Sequence, residues 1–137
     1  MTDMNDWNRK VIEEFRANEG KVEQFGEMPL VILHTIGARS GQLREIPLVP
    51  QVEGDTLTVF GSAGGSPKHP DWVFNLRSTP RITVEYGTER FEADVVELAA
   101  DDAAAAIARM GETFGNFAEY VESAAPRAIP AFRINRA

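Results

Sequence analysis

The chain has 137 residues, of which 43% are hydrophobic and 26% charged, enough for one folded domain with a buried core. It contains no cysteine, which excludes disulfides, thiolate catalysis and cysteine-ligated metal. A net charge of −7 argues against a general nucleic-acid-binding protein, and the acidic, polar N-terminus lacks the pattern of a secretory signal. Acids exceed bases in residues 1–34 and 92–137, whereas residues 35–91 are balanced, so an anionic ligand is best tolerated in the middle of the chain.

Residues 6–18 are predicted to form an amphipathic helix that ends near Gly20. Trp7, Val11 and Phe15 recur at helical spacing, and we expect this apolar face to pack over the core. The polar face carries as much acid as base, which argues against a helix lying on a membrane. Peripheral membrane contact is nevertheless left open by the sequence.

Alternating apolar residues and turn residues predict six strands. These cover residues 30–35, 44–52, 56–61, 81–86, 90–98 and 131–135. Pro47 and Pro50 indicate that the second strand is an edge strand or contains a bulge. Helices are predicted at 71–77, 101–110 and 113–124. Because few helices separate the strands, the pattern favours a small antiparallel barrel, closed or split, over a parallel α/β sheet.

Two glycine-rich loops are the strongest candidates for a binding site. Gly37–Gly41 with Arg39 and Arg44 can form a nest of backbone amides beside two guanidinium groups, although composition alone favours a tight hairpin with two exposed arginines. Gly61–Lys68 leads from a strand towards a helix N-terminus and contains a lysine. Two such loops on neighbouring strands can bind one long anionic ligand.

The residue pattern contains no evident catalytic machinery of its own. There is no Walker loop, no HExxH and no plausible metal cluster, so no metal is expected. His34 is interpreted as a strand histidine satisfied by its neighbours. His69 is interpreted as a solvated loop residue, with contact to a ligand as the alternative because its neighbours are ligand-binding candidates. No nucleophile stands at a useful spacing from a base, so a cofactor is expected to supply any chemistry.

Four segments together resemble the deazaflavin-dependent nitroreductase family of actinobacteria. They are Thr35–Pro47, Gly61–Leu76, Pro80–Val84 and Arg127–Pro130, and the resemblance extends over residues 28–135. It implies a mainly β fold with flanking helices: a six-stranded antiparallel split β-barrel, similar to FMN-binding split barrels, with an N-terminal helix. Residues 1–27 would be the helix and its connector, packed on the barrel of residues 28–137 in a single domain.

The resemblance also implies the deazaflavin coenzyme F420, whose ring is joined through ribitol and phosphate to a lactyl-oligoglutamate tail. Arg39 and Arg44 would then hold phosphate and tail carboxylates, with Pro47 lining the ring pocket and Ser62 near the ring and the substrate. Ser62 and Tyr120 are the implied catalytic candidates. The coenzyme-binding set implied by the resemblance is Arg39, Ser40, Gly41, Arg44, Pro47, Ser62, Ala63, Gly64, Gly65, Lys68, Trp72 and Asn75. Trp72 is equally well explained as a core residue, and Asn75 as a brace for the loop.

The chain departs from the family pattern at several positions. Ala38 and Ala63 stand where lysine or arginine is common, and Ile46 where asparagine is common. The C-terminal helical segment has Phe117 and Tyr120 where well-studied reductases carry several tyrosines. Coenzyme binding is therefore implied more firmly than reduction of any particular nitro compound.

The implied function is a cytoplasmic F420-dependent oxidoreductase that transfers hydride from the reduced deazaflavin to a small, electron-poor quinone, enone or nitroaromatic. An FMN-dependent split-barrel reductase and a non-catalytic F420 carrier remain as alternatives. The expected partner is a small-molecule acceptor rather than nucleic acid, and homodimer formation is left open.

Overall fold

The computed structural model describes residues 6–26, 28–61, 69–113 and 128–137. Its helices are α1 (Asp6–Ala17), α2 (Asp71–Ser78) and α3 (Ala100–Thr113), with a 3-10 turn at Glu23–Phe25. Its strands are β1 (Val31–Ile36), β2 (Leu43–Leu48), β3 (Gln51–Glu53), β4 (Thr56–Phe60), β5 (Arg81–Tyr86), β6 (Glu89–Glu97) and β7 (Ala131–Arg136). The predicted helix over 113–124 lies, apart from its first residue, outside the described residues.

All seven strands of the described ranges form one antiparallel sheet in the order β2-β1-β5-β6-β7-β4-β3. Consecutive strands β2 and β3 are joined by Val49 and Pro50 yet lie at opposite edges of the sheet. A flat sheet would put these edges about 29 Å apart, whereas three residue steps span at most about 11 Å. The sheet therefore curls until its edges nearly meet, which confirms the predicted split barrel.

The predicted second strand, 44–52, is two strands. The chain turns at Val49 and Pro50, and its two halves pair with different partners, β1 and β4. Pro47 lies within an edge strand, where its missing N–H removes no ladder hydrogen bond on the open side. The prediction of an edge strand is confirmed, and the described part of the chain contains seven strands rather than the predicted six.

The inside of the curled sheet holds the main core, and α2 packs into it. Trp72, Val73 and Leu76 of α2 are buried against strand residues such as Leu33 and Phe132. The Trp72 and Phe132 rings meet edge to face with centroids 5.8 Å apart. A second cluster forms where Ala103, Ala106 and Met110 of α3 face the ends of β4 and β7. Both helices are thus fixed to the barrel by apolar burial.

Helix α1 covers the outer face of the sheet near β1. Val11, Ile12 and Phe15 are buried against Leu30 and Ile32, as their helical spacing predicts. Trp7 departs from this expectation, because it is 50% exposed and contacts the Phe25 ring edge to face at 6.1 Å. No helix in the described part of the chain combines the length and apolar character needed to cross a membrane.

A charged cluster holds α1 to the sheet beneath it. Arg16 donates hydrogen bonds to Glu85 at 3.1 and 2.7 Å and to Glu45, and His34 Nε2 lies 2.7 Å from the Glu85 carboxylate. Hydrogen bonding from Arg16 and, secondarily, His34 lowers the pKa of Glu85 to about 2. His34 is thus a strand histidine satisfied by its neighbours, as predicted. His34, Glu45 and Glu85 are close enough together to share a cation, but Arg16 already neutralises the carboxylates.

Candidate functional site

The hairpin loop between β1 and β2 is closed by its own backbone. Gly37 N–H donates to the Gln42 carbonyl at 2.8 Å, and Gly41 N–H donates to the Gly37 carbonyl at 2.9 Å. Gly41 has φ +70°, a conformation that side chains disfavour, and a Cβ on Gly37 would lie 2.4 Å from Ser40 Oγ. The backbone conformation thus favours glycine at position 41, and a side chain at position 37 would displace the Ser40 hydroxyl from its place in this compact turn.

The polar side chains of the loop converge above it. Arg44 folds back and donates to Gln42 Oε1 at 3.2 Å and to Ser40 Oγ at 3.3 Å. Ser40 Oγ also accepts the Gln42 N–H at 3.2 Å. Arg39 is exposed on the same turn. The loop thus presents two guanidinium groups and a hydroxyl, all of which can bond an anion.

Asn75, on the buried side of α2, anchors this loop from below. Its Oδ1 accepts the Ala38 N–H at 2.9 Å, and its Nδ2 donates to Thr35 Oγ1 at 3.3 Å. Thr35 Oγ1 in turn donates to the Arg44 carbonyl at 3.1 Å. A buried amide that satisfies two partners fixes their separation. Asn75 therefore braces the loop, in agreement with the second interpretation of its role.

A cavity of about 640 Å³ opens between the loop and α2, and we call it the loop cavity. It is lined by Gly37, Ala38, Arg39, Ser40, Arg44, Asp71, Phe74, Asn75, Arg77 and Ser78. Three arginines face one aspartate, in a chain whose net charge is −7. The local charge is therefore opposite in sign to that of the molecule, and this cavity is where an anion is favoured.

A second, larger cavity of about 1030 Å³ lies beside α3, and we call it the α3 cavity. It is lined by His69, Arg77, Glu97, Leu98, Ala100, Ala103, Ala104, Ile107, Ala108, Gly111, Glu112, Ala128, Ile129 and Pro130. Its walls are mainly apolar, and its volume is at the upper end of the range for small-molecule sites. Arg77 lines both cavities, so the anion-favouring and the apolar spaces are adjacent.

Arg77 is held in place by Glu97. The guanidinium donates two hydrogen bonds to the carboxylate, at 2.9 and 2.8 Å. These bonds lower the pKa of the Glu97 carboxyl and raise that of Arg77. The pair is partly exposed, so its main consequence is the fixed orientation of the two groups at the boundary of the cavities.

The structure brings together only part of the predicted binding set. Arg39, Ser40, Gly41, Arg44 and Asn75 belong to one loop and its brace. Trp72 is buried in the core, which agrees with its interpretation as a core residue rather than a coenzyme contact. Pro47 is buried opposite Ile32, on the sheet face covered by α1, away from Arg44. Ser62, Ala63, Gly64, Gly65, Lys68 and Tyr120 lie outside the described residues, and their roles stay predictions.

Three features of the site were not predicted from the sequence. Arg77 and Phe74 line the loop cavity, and the α3 cavity was not foreseen. One face of α2 meets the loop, and its residues recur at helical spacing: Asp71, Phe74, Asn75 and Ser78. This spacing is the sequence pattern from which the shared face could have been predicted. Nothing in the sequence indicated that α3 would border a cavity.

Comparison with known proteins places this geometry in a family. The sequence matches the F420H(2)-dependent quinone reductase family over residues 7–134. It is 33% identical, over 79 residues, to an F420H(2)-dependent quinone reductase of Mycobacterium tuberculosis strain H37Rv, which covers 56% of this chain and 53% of the relative. The chain thus spans about half the length of the curated relatives it matches.

Solved structures agree with this assignment. The F420-H2 dependent reductase FDR-A superposes with a TM-score of 0.68 at 31% identity, covering 78% of this chain and 94% of that one. A structure described as a domain-swapped dimer superposes at 0.70 with 29% identity, covering 95% of this chain and 98% of that one. The predicted resemblance to F420-dependent split-barrel reductases is confirmed by these matches. The chain belongs to the F420H(2)-dependent quinone reductase family.

Proposed function

We propose that the protein is an F420H2-dependent reductase that transfers hydride from the reduced deazaflavin to a small, electron-poor acceptor such as a quinone, an enone or a nitroaromatic. Its relatives are named as F420H2-dependent reductases. The observation that carries the proposal is the loop cavity, in which Arg39 and Arg44 flank a braced glycine turn inside an acidic protein.

The residues of the loop cavity fit the anionic part of coenzyme F420. Phosphate and glutamate carboxylates need cationic or N–H donors, and the cavity offers three arginines, a serine hydroxyl and exposed backbone at the turn. Arg77 is engaged with Glu97, which leaves the exposed Arg39 and the loop-folded Arg44 as the principal contacts. Asp71 is the one acid among the described lining residues, so the balance still favours a polyanion.

Each chain residue then has a defined task. The bound coenzyme supplies the hydride. Arg39 and Arg44 hold the phosphate and tail, and Arg44 exchanges its bonds to Ser40 and Gln42 for bonds to the anion. Asn75 keeps the loop at its distance from α2. Ser62 and Tyr120 are assigned, from the family resemblance, to hydrogen bonding where negative charge develops on the acceptor.

The first test is titration of the purified protein with F420 and with FMN in separate experiments, followed by fluorescence. We expect saturable binding of F420, and reduction of menadione by the reduced coenzyme faster with protein than without it. Binding of FMN alone would replace this proposal by the FMN-dependent reductase. F420 binding without acceleration of any acceptor would leave a carrier.

The double variant Arg39→Ala/Arg44→Ala tests the assigned contacts. We expect its F420 affinity to fall about tenfold, because two exposed charge-assisted contacts contribute roughly 1.4 kcal/mol together. Added salt should weaken binding to the wild type and change the variant little, since screening acts on the charges that were removed. Arg90→Ala is the matched control, because Arg90 is exposed near the opposite end of β1 from the loop. Equal affinity in both variants would place the tail elsewhere.

A cytoplasmic location and a homodimeric state belong to the same proposal. A relative of known structure is described as a domain-swapped dimer, which supports testing for a dimer by light scattering of the purified protein. Peripheral membrane contact is tested in parallel by co-sedimentation with anionic vesicles.

A further inference from the structure

The described walls of the α3 cavity are mainly apolar, with three polar side chains at one boundary and Glu112 of α3 as a further acid. Apolar side chains such as Leu98, Ile107 and Ile129 form much of its surface. His69, Arg77 and Glu97 bring the polar groups of three different elements to its boundary. A flat aromatic molecule with a carbonyl or nitro oxygen matches such a space, because its ring is apolar and its oxygen needs a polar partner.

His69 is held at this boundary by its surroundings. Its ring contacts the Phe74 ring edge to face at a centroid distance of 5.8 Å. It also lies within electrostatic reach of the Glu97 carboxylate, which Arg77 fixes through two hydrogen bonds. A carboxylate attracts the cationic form of a neighbouring imidazole. His69 is therefore a half-buried imidazole that lines a mainly apolar cavity and interacts electrostatically with a carboxylate.

We propose that the α3 cavity receives the reducible ring of the acceptor and that His69 is the catalytic acid that protonates the acceptor oxygen. This inference rests on the proposed function, which supplies the reductant. Reduction delivers hydride, with its two electrons, to the acceptor and leaves negative charge on an oxygen. The imidazolium N–H bond breaks, an O–H bond forms, and the neutral imidazole recovers a proton from solvent. The coenzyme is oxidised and the acceptor reduced.

Glu97 and Arg77 lie beside the proposed acid and are assigned positioning roles. Glu97 favours the protonated imidazole, and Arg77 keeps the carboxylate from rotating away. Glu112, on the last turn of α3, also lines the cavity and adds negative charge. Arg77 also borders the loop cavity. One side chain therefore adjoins both the residues assigned to coenzyme binding and the residue assigned to proton delivery.

His69→Gln tests the acid directly, because glutamine keeps a hydrogen-bond donor but releases no proton in this pH range. In the wild type we expect the rate of menadione reduction at saturating F420H2 to fall as pH rises between about 6 and 8, where imidazole ordinarily titrates. In His69→Gln the rate should drop about 100-fold at pH 6 and lose that dependence. Unchanged rate and profile would overturn the inference.

A second variant distinguishes an acid from a structural role. Glu97→Gln removes the charge that favours the imidazolium, so the fall in rate should move to lower pH. Glu89→Gln, at the far β5–β6 turn, is the control and should leave the profile in place. If Tyr120→Phe rather than His69→Gln removes the pH dependence, the acid is Tyr120 and the inference is wrong.

F420 titration of each variant separates this inference from the proposed function. His69→Gln, Glu89→Gln and Tyr120→Phe should bind F420 with wild-type affinity and melt within a few degrees of the wild type. Glu97→Gln releases Arg77 at the edge of the loop cavity, so it should bind F420 at least as tightly as the wild type. If the wild type does not bind F420, the proposed function fails. If it binds F420 and reduces menadione while His69→Gln behaves identically, only the assignment of His69 fails.

Discussion

Asn75 shows how one buried amide can fix the position of a candidate binding loop. The loop has few apolar contacts of its own, and its position is set by the bonds from Asn75 to Ala38 and Thr35. Both bonds reach across from α2, more than thirty residues away in sequence. Ligand binding in the loop cavity is therefore expected to depend on Asn75 through the loop position that it fixes.

Asn75→Ala should lower both stability and coenzyme affinity. Loss of the amide leaves the Ala38 N–H and the Thr35 hydroxyl with fewer partners, at a cost of about 1–3 kcal/mol of unfolding free energy. F420 affinity should fall as well, because a loosened loop must be ordered again on binding. Urea unfolding and fluorescence titration measure the two effects.

Thr35→Val is the matched control for this prediction. It removes the hydroxyl contacts but keeps the bond between Asn75 and Ala38, so affinity should fall less than in Asn75→Ala. A larger loss in Thr35→Val would show that the brace acts through Thr35 instead.

At the scale of elements, α1 is joined to the sheet by charge as well as by apolar contact. Arg16 reaches Glu45 on β2 and Glu85 on β5, beside the buried His34 of β1. The cluster therefore ties the helix to three neighbouring strands. Because Glu85 is buried, removing its partner would leave an uncompensated charge, which costs more than an exposed pair contributes.

The lowered pKa of Glu85 gives a pH dependence with a definite sign. Its folded pKa of about 2 lies below the ordinary value of 4.5, so its stabilisation is complete above pH 4.5 and is lost as pH falls towards 2. Glu85→Gln should therefore be less stable than the wild type near pH 6, and the difference should shrink steadily by pH 2.5.

Chemical unfolding at several pH values measures this difference. Glu89→Gln serves as the comparison, because its partner Arg136 is about half exposed and the pair contributes little. A gap between wild type and Glu85→Gln that stays constant from pH 6 to pH 2.5 would contradict the assignment of the pKa shift to Glu85.

The bounds of helices and strands were predicted from the sequence far better than the pairing of the strands. The strand over 81–86 has the predicted bounds, and α1 and α2 each differ by one residue at the C-terminal end. The division of 44–52 was missed, because alternation continues through Val49 and Pro50 while the pairing partner changes. That change depends on β7 returning beside β4, a contact between residues about 70 positions apart.

The same limit applies to the candidate site. Glycines and arginines concentrated in one turn made Arg39, Ser40 and Arg44 predictable, because their proximity is local. Arg77 and the α3 cavity were missed, since their place depends on how α2 and α3 dock on the curled sheet. Helical spacing indicates which residues share a face, but the surface that this face meets is decided by tertiary packing.

For the whole molecule, the open question is whether α1 is an appendage or part of the barrel. Residues 1–27 and 28–137 are proposed to form a single domain. Val11, Ile12 and Phe15 bury apolar surface that is worth about 5–9 kcal/mol, similar to the entire stability of a typical domain. The barrel is therefore expected to fold and unfold together with its N-terminal helix.

Phe15→Ala tests this in the full chain. Phe15 is almost completely buried, and its truncation should cost about 3–5 kcal/mol while near-UV and far-UV signals still report one shared transition. Trp7→Ala, on the same helix but half exposed, should cost much less. If α1 were a separate unit, Phe15→Ala would produce an early helical transition and leave the transition of the sheet at its wild-type denaturant concentration. Far-UV signal follows the helices, and near-UV signal is recorded in a Trp7→Phe background, where Trp72 inside the barrel is the one remaining tryptophan.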